Sequence, residues 1–305
     1  MKKVGHYRRA VWISENPRTL SRVLRQCLRT IPENELHVFE YTPEEQCLVA
    51  RVNEGNGAIY LHLVVYERGA GAAVIPIVRR ARAAEAGEAA PPQGREFIQA
   101  QLFCLVRRDH VIWTTHNAVL RDTSVYDLFA KLIESLVDEG AETQFQFQAI
   151  LDAGVYSRAF DRGIEEIDLG LGDFQSTLEI LINDGHLPDD GFFGGLRSLV
   201  RRRPTQAEIN AAGMVEARLS LKPGRDWSRP HVTSLLSKLA STVVGNPADE
   251  FTIVTKDGIR LTRDKMSIHK EFSVEGNRRV LSSPDVEAHQ RRIMRELEIT
   301  GVIDN

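Results

Sequence analysis

Arg197, Arg201, Arg202, Arg203, Lys222, Arg225, Arg229, Lys256, Arg260, Arg263 and Lys265 are the side chains of this 305-residue chain whose clustering implies chemistry. The chemistry is recognition of phosphate. Between positions 197 and 229 there are eight Lys/Arg against three acids, and between 256 and 295 ten against six. Arginine predominates, and its planar fork of N–H donors suits two-point contact with phosphate oxygens. Several such contacts along a nucleic-acid backbone give affinity that falls steeply with salt and carries little base preference.

Groups for bond-making chemistry are sparser. A metal-dependent nuclease of the restriction type needs an acidic residue and a Glu-x-Lys on the neighbouring strand; the nearest approach is Glu216-Ala217-Arg218, with Arg where Lys belongs. No Gly-x-Ser-x-Gly, Walker loop or His-Glu-x-x-His occurs. Gly170-Leu171-Gly172 lacks the third glycine of a dinucleotide loop. The nine histidines are scattered, and Cys27, Cys47 and Cys104 lie too far apart in sequence for a structural zinc motif. The thiols read as buried and free, in a reducing compartment. The expectation is a binding protein with no catalytic residue, no metal and no cofactor; a defence nuclease is the alternative.

A net charge of −3 hides a strong segregation. Residues 1–121 carry 17 Lys/Arg against 12 Asp/Glu, residues 122–190 carry 3 against 16, and residues 191–305 carry 19 against 14. Opposed fields of this kind favour an anionic partner at a basic face and repel it from the acidic one. The acidic block either solvates a surface or, as a further alternative, serves as a protein-interaction module that takes a basic partner or mimics DNA. No apolar run reaches the ~18 residues of a membrane span, and residues 1–9 lack a signal-peptide core. The chain is expected to be soluble and cytoplasmic.

The elements that must position these groups follow from periodicity and turn chemistry. Residues 4–13 alternate as a strand. Asn16-Pro17 is placed to open a helix with Leu20, Val23, Leu24, Cys27, Leu28 and Ile31 on one face and Arg18, Arg22, Arg25 and Arg29 on the other. Residues 35–41, 46–52 and 58–67 form an antiparallel meander, with Asn56-Gly57 a hairpin turn. Residues 79–95 read as a surface loop. A hairpin of 97–106 and 110–116 closes at Arg107-Arg108-Asp109, and Ser124 is placed as the N-cap of a helix reaching Gly140. Strands are expected at 144–151, 164–171 and 215–221, a loop or hinge at 183–195, and a helix from near Ser228 to Val243. Trp227 sits at that turn, as a packing residue or a stacking platform. A hairpin of 251–254 and 259–261, a strand at 268–274 and a helix at 284–297 complete the chain. The expected fold is α+β in two domains, antiparallel sheets with flanking helices: 1–140, a meander with helices, and 141–305, carrying the basic strand-turn-helix and hairpin.

This order of elements resembles the RexA-like family of phage-exclusion and phage-defence DNA-binding proteins. The hairpin 97–117 with the helix 123–136 has similar hydrophobic spacing. The segment Val215-Glu-Ala-Arg-Leu-Ser-Leu-Lys-Pro-Gly-Arg-Asp-Trp227 is similar to that family's strand ending in Lys-Pro, followed by a basic residue, an Asp and a long helix. Residues 251–276 resemble its late hairpin and strand. The loops at 79–95 and 183–195 have no counterpart there. The resemblance implies a homodimer that binds double-stranded DNA with little sequence specificity. It also implies that the protein senses phage replication and signals to a separate effector, a membrane protein encoded by a neighbouring gene. Lys222 and Arg225 are the positions it marks as DNA contacts.

Overall fold

The computed structural model describes residues 1–13, 18–32, 35–74, 87–118, 120–137, 144–170, 218–222, 236–237, 239–241, 243–244 and 251–303. The fold is α+β with antiparallel sheets, as the alternation and turn signals require. Two units divide it: Met1–Gln148 with His269–Asn305, and Ala149–Ile268.

In the first unit, β1 (Lys2–Trp12), β2 (Val38–Glu40), β3 (Glu45–Gly55), β4 (Ala58–Glu67), β7 (Ile98–Arg107), β8 (His110–His116) and β14 (His269–Ser273) lie in the order β14-β1-β8-β7-β4-β3-β2. β9 (Phe145–Ala149) also pairs with β1. Asn56 and Gly57 turn β3 into β4 with φ of 53° and 75°, the positive values that a right-twisting two-residue hairpin needs. β5 (Ala72–Val74) and β6 (Gly87–Ala89) form a separate two-stranded sheet. Residues 87–89 are therefore strand rather than loop; the Glu88 carboxylate accepts from the Gly71 amide at 2.9 Å and closes the hairpin.

β4 and β7 are buried along nearly their whole length, the pattern of strands covered on both faces. One face takes α1 (Leu20–Leu28) and α2 (Asp122–Glu134), whose Leu20, Leu24, Leu128 and Phe129 pack with Leu61, Leu63 and Trp113. α1 begins at Leu20, and residues 14–17, where its start was expected, lie outside the described residues. Asp109, in the β7–β8 turn, supplies the missing cap: its Oδ1 accepts from the Leu20 amide and from Trp12 Nε1, each at 2.8 Å. α2 begins two residues before Ser124. Asp122 in its first turn meets both the positive end of the helix and the guanidinium of Arg8, 2.5 Å away.

α5 (Ser283–Ile299), capped by Ser282, covers the other face. A Cβ on Gly5 would meet Ile293 Cδ1 at 3.2 Å and Ile112 Cγ2 at 3.4 Å, so β1 needs glycine beneath this helix. Much of the contact is polar: Gln290 Nε2 donates to the Phe103 carbonyl at 2.9 Å, Tyr60 Oη to the Ser283 carbonyl at 2.9 Å, and Glu287 accepts from Asn53 at 2.6 Å and Arg51 at 3.1 Å. The expected boundary of 141–305 is thereby corrected. β14 pairs with β1 from Lys2↔Ser273 to His6↔His269, and 269–305 belong to the first unit because sheet edge and helix face are both completed by them.

His62 lies in this polar layer, stacked on Phe103 with ring centroids 4.2 Å apart and 3.2 Å from Gln101 Oε1. Burial, with a smaller push from the Arg51 charge, lowers its pKa to about 4. The folded imidazole stays neutral where the unfolded one takes a proton. His62 therefore lowers stability progressively as pH falls from about 6.5 towards 4, by up to about 1.4 kcal/mol per unit. Urea midpoints across this window are expected to depend less on pH in His62→Gln than in the parent.

Gly276, between β14 and α5, has φ of 144°, and a Cβ there would lie 2.5 Å from the Val280 carbonyl oxygen. Both conformation and space exclude a side chain. Gly276→Ala is expected to cost about 2 kcal/mol, read as a lower urea midpoint by intrinsic fluorescence.

In the second unit, β10 (Ile164–Gly170), β11 (Arg218–Leu221), β12 (Phe251–Thr255) and β13 (Arg260–Thr262) form a sheet in the order β11-β10-β12-β13. Ile167 stands opposite both Leu221 and Ile253, and Ile253 opposite Leu261. This row packs with Leu236, Leu239 and Val243 of a helical stretch, within the span where a helix is expected. α3 (Ala153–Arg162) is capped by Asp152, whose Oδ1 accepts from the Gly154 and Val155 amides. α4 (Arg263–Met266) is a single turn that sends Met266 into the core.

Candidate nucleic-acid interface

Lys222, Lys256, Arg260, Arg263 and Lys265 all fall in the second unit. Arg197, Arg201, Arg202, Arg203, Arg225 and Arg229 lie outside the described residues, as do Glu216, Trp227 and the expected hinge at 183–195.

A tight turn holds the first two exposed cations. Thr255, fully buried, donates its hydroxyl to Asp257 and accepts the Ile259 amide at 3.2 Å, while the Gly258 amide donates to the Thr255 carbonyl at 2.8 Å. Gly258, at φ 80°, lets the chain reverse. Lys256 is tied through its amide to the Gly163 carbonyl at 3.0 Å, and the end of its side chain, Cδ to Nζ, lies over Gly163 on an exposed residue. The Asp257 carboxyl is held below the usual carboxylate range, first by the Thr255 hydroxyl and then by the charge of Arg162. Arg162 meets it at 2.8 Å, so this acid is neutralised from α3.

Arg260 opens β13, exposed and opposite Val254. Lys265 returns to it: the Lys265 ammonium donates to the Arg260 carbonyl at 3.1 Å, and the Lys265 amide to the Thr262 hydroxyl at 3.4 Å. Arg263 is partly covered, with its guanidinium 5.2 Å from the Phe251 ring centroid, which gives it a packing role. Lys222 is exposed but paired. Its Nζ is 2.9 Å from Glu166 Oε1, which also accepts from the Ser220 hydroxyl at 2.6 Å. The Ser220 hydrogen bond, then the Lys222 contact, hold the Glu166 carboxyl below its ordinary range.

The structure thus brings Lys256, Arg260 and Lys265 onto one turn and the helical turn that follows it. It sets Arg263 apart by stacking and Lys222 by ion pairing. On the arginine stripe of α1, Arg22 and Arg29 are exposed, while Arg25 is 2.9 Å from Glu54 and Arg18 3.1 Å from Gln26. Part of the acidic middle has internal work, in Asp122, Asp152 and Glu166.

β10 carries Glu166 and Asp168 on one face, two residues apart, and Asp168 stands opposite Ser220 and Thr252. Among the described residues no group of three or more His, Cys, Asp or Glu is placed to hold a metal ion. Cys27, Cys47 and Cys104 are buried and form no disulfide; burial pushes the Cys47 thiol up to about 12, out of reach as a nucleophile at neutral pH. Among the described residues, no helix is long and apolar enough to cross a membrane.

One arginine group escapes a reading of the sequence. Arg107, Arg291 and Arg295 line a single cleft in the first unit, although Arg107 is more than 180 positions from the other two. Their side-by-side placement depends on α5 returning to the first sheet, and no local spacing signals that. No family model matches the chain, and no curated protein matches it.

Proposed function

We propose that this chain binds double-stranded DNA without sequence preference, through a basic surface of its second unit. The observation that carries the reading is the presence of three exposed cations, Lys256, Arg260 and Lys265, within ten residues on one turn and helical turn. The nearby acid Asp257 is engaged by Arg162. Long side chains on a short, backbone-anchored turn can follow phosphates without reading bases. The resemblance to RexA-like proteins supports the wider role: a cytoplasmic, homodimeric, non-enzymatic sensor in phage exclusion that passes its signal to a membrane effector encoded nearby. Anisotropy titration with two duplexes of unrelated sequence tests the binding. Equal affinity is the expected result; a strong preference for one duplex, or no binding to either at low salt, contradicts it.

A second reading, metal-assisted cleavage of nucleic acid, draws on Glu166 and Asp168 side by side on β10 with Lys222 against Glu166. Two carboxylates and a lysine are parts that such chemistry uses. Plasmid cleavage with Mg²⁺ or Mn²⁺, stopped by EDTA and lost in Asp168→Asn, would put this reading first.

A further inference from the structure

We infer that the cleft between the C-terminal half of α5 and the ends of β4 and β7 is a binding site for a small phosphate anion, either free phosphate or a terminal phosphomonoester. It lies in the first unit and does not rest on the DNA reading. The cleft has a volume of about 130 Å³; Arg107, Arg291 and Arg295 line it, with Asn56 at one side and Leu105 and Met294 as its apolar wall. Positions 291, 294 and 295 share one face of α5 because they are three and four residues apart. Arg107 ends β7.

The guanidiniums are held in place before any ligand arrives. Arg107 pairs with Glu298, and Arg291 Nε donates to Glu287 Oε1 at 2.9 Å while its Nη1 donates to the Gly55 carbonyl at 2.8 Å. Arg295 Nε donates to the Arg291 carbonyl at 3.4 Å. A guanidinium has more N–H donors than these contacts use. Charge is also in excess. Glu287 serves Arg51 as well as Arg291, so four guanidiniums, those of Arg51, Arg107, Arg291 and Arg295, stand against the two carboxylates of Glu287 and Glu298. Among the described residues, no carboxylate lines the cleft itself. Three guanidiniums lining one cleft and a surplus of positive charge around it favour a compact, multiply charged oxyanion.

The test is isothermal titration of the full chain in a low-salt, phosphate-free buffer with orthophosphate, AMP and adenosine. Saturable binding of orthophosphate is expected, weakened about tenfold by Arg295→Gln, which removes one charge-assisted hydrogen-bonding group. Arg292→Gln, on the same helix but paired with Glu296 and outside the cleft, should bind like the parent. Binding of AMP with adenosine inert identifies a phosphomonoester as the ligand, and binding of orthophosphate alone identifies free phosphate; both uphold the site. Absence of saturable binding in the folded parent, or unchanged binding in Arg295→Gln, overturns it. Affinity for random duplex DNA should be the same in Arg295→Gln as in the parent, whatever that affinity is. An equal loss in phosphate and duplex binding would make the cleft part of the DNA-backbone surface and overturn a separate small-anion site.

Discussion

Asp122→Ala is expected to destabilise the first unit by about 3 kcal/mol, and Arg8→Met by much less. Arg8 is 1% exposed. Its Nε meets Asp122 Oδ2 at 2.5 Å, its Nη1 donates to the Tyr7 carbonyl at 3.0 Å, and its guanidinium lies 5.2 Å from the Trp113 ring centroid. Removing the carboxylate withdraws the balancing charge from a guanidinium shut away from water. Methionine removes that charge while keeping most of the side-chain volume, and the Asp122 it leaves behind is 38% exposed and can be hydrated. The order of the two urea midpoints is the test: an Arg8→Met midpoint below that of Asp122→Ala would mean that packing, not charge, dominates at this site.

Replacing Lys256, Arg260 and Lys265 together with Glu is expected to abolish duplex binding at moderate salt while leaving the fold intact, since all three are exposed. Converting each alone to Gln should make the dependence of log K on log salt shallower by about 0.9 for each phosphate the variant no longer neutralises. Lys222→Gln should change it less, because that ammonium already sits on Glu166 at 2.9 Å. Equal effects of Lys222→Gln and Arg260→Gln would mean that the Glu166 pair opens on binding.

Local signals carried much of the fold. Asn56-Gly57 marked its hairpin, the pairing of 251–254 with 259–261 marked the turn that presents the cations, and the apolar period of α1 named its buried face. Non-local pairing stayed hidden. Nothing within residues 268–274 says that their partner is β1, and this moved 269–305 from the expected second domain to the first unit. Helix caps were misplaced for the same reason: α1 is capped by Asp109, 89 residues away in the chain, and α2 starts at Asp122, which meets buried Arg8. Among candidate site residues, composition singled out Lys222 and Arg263 as readily as Arg260. Only the structure shows Glu166 under one and Phe251 under another. The Arg107–Arg291–Arg295 cleft was illegible because its parts lie more than 180 positions apart in the chain.

The proposed DNA binding rests on backbone phosphates rather than bases, and the salt dependence of random-duplex affinity for the unaltered chain tests it. A linear fall of log K with log salt is expected, with a slope near −0.9 for each phosphate neutralised, hence about −2.7 from Lys256, Arg260 and Lys265 if each engages one phosphate, and steeper as further basic residues take part. Binding that is indifferent to salt, or absent at low salt, would contradict it.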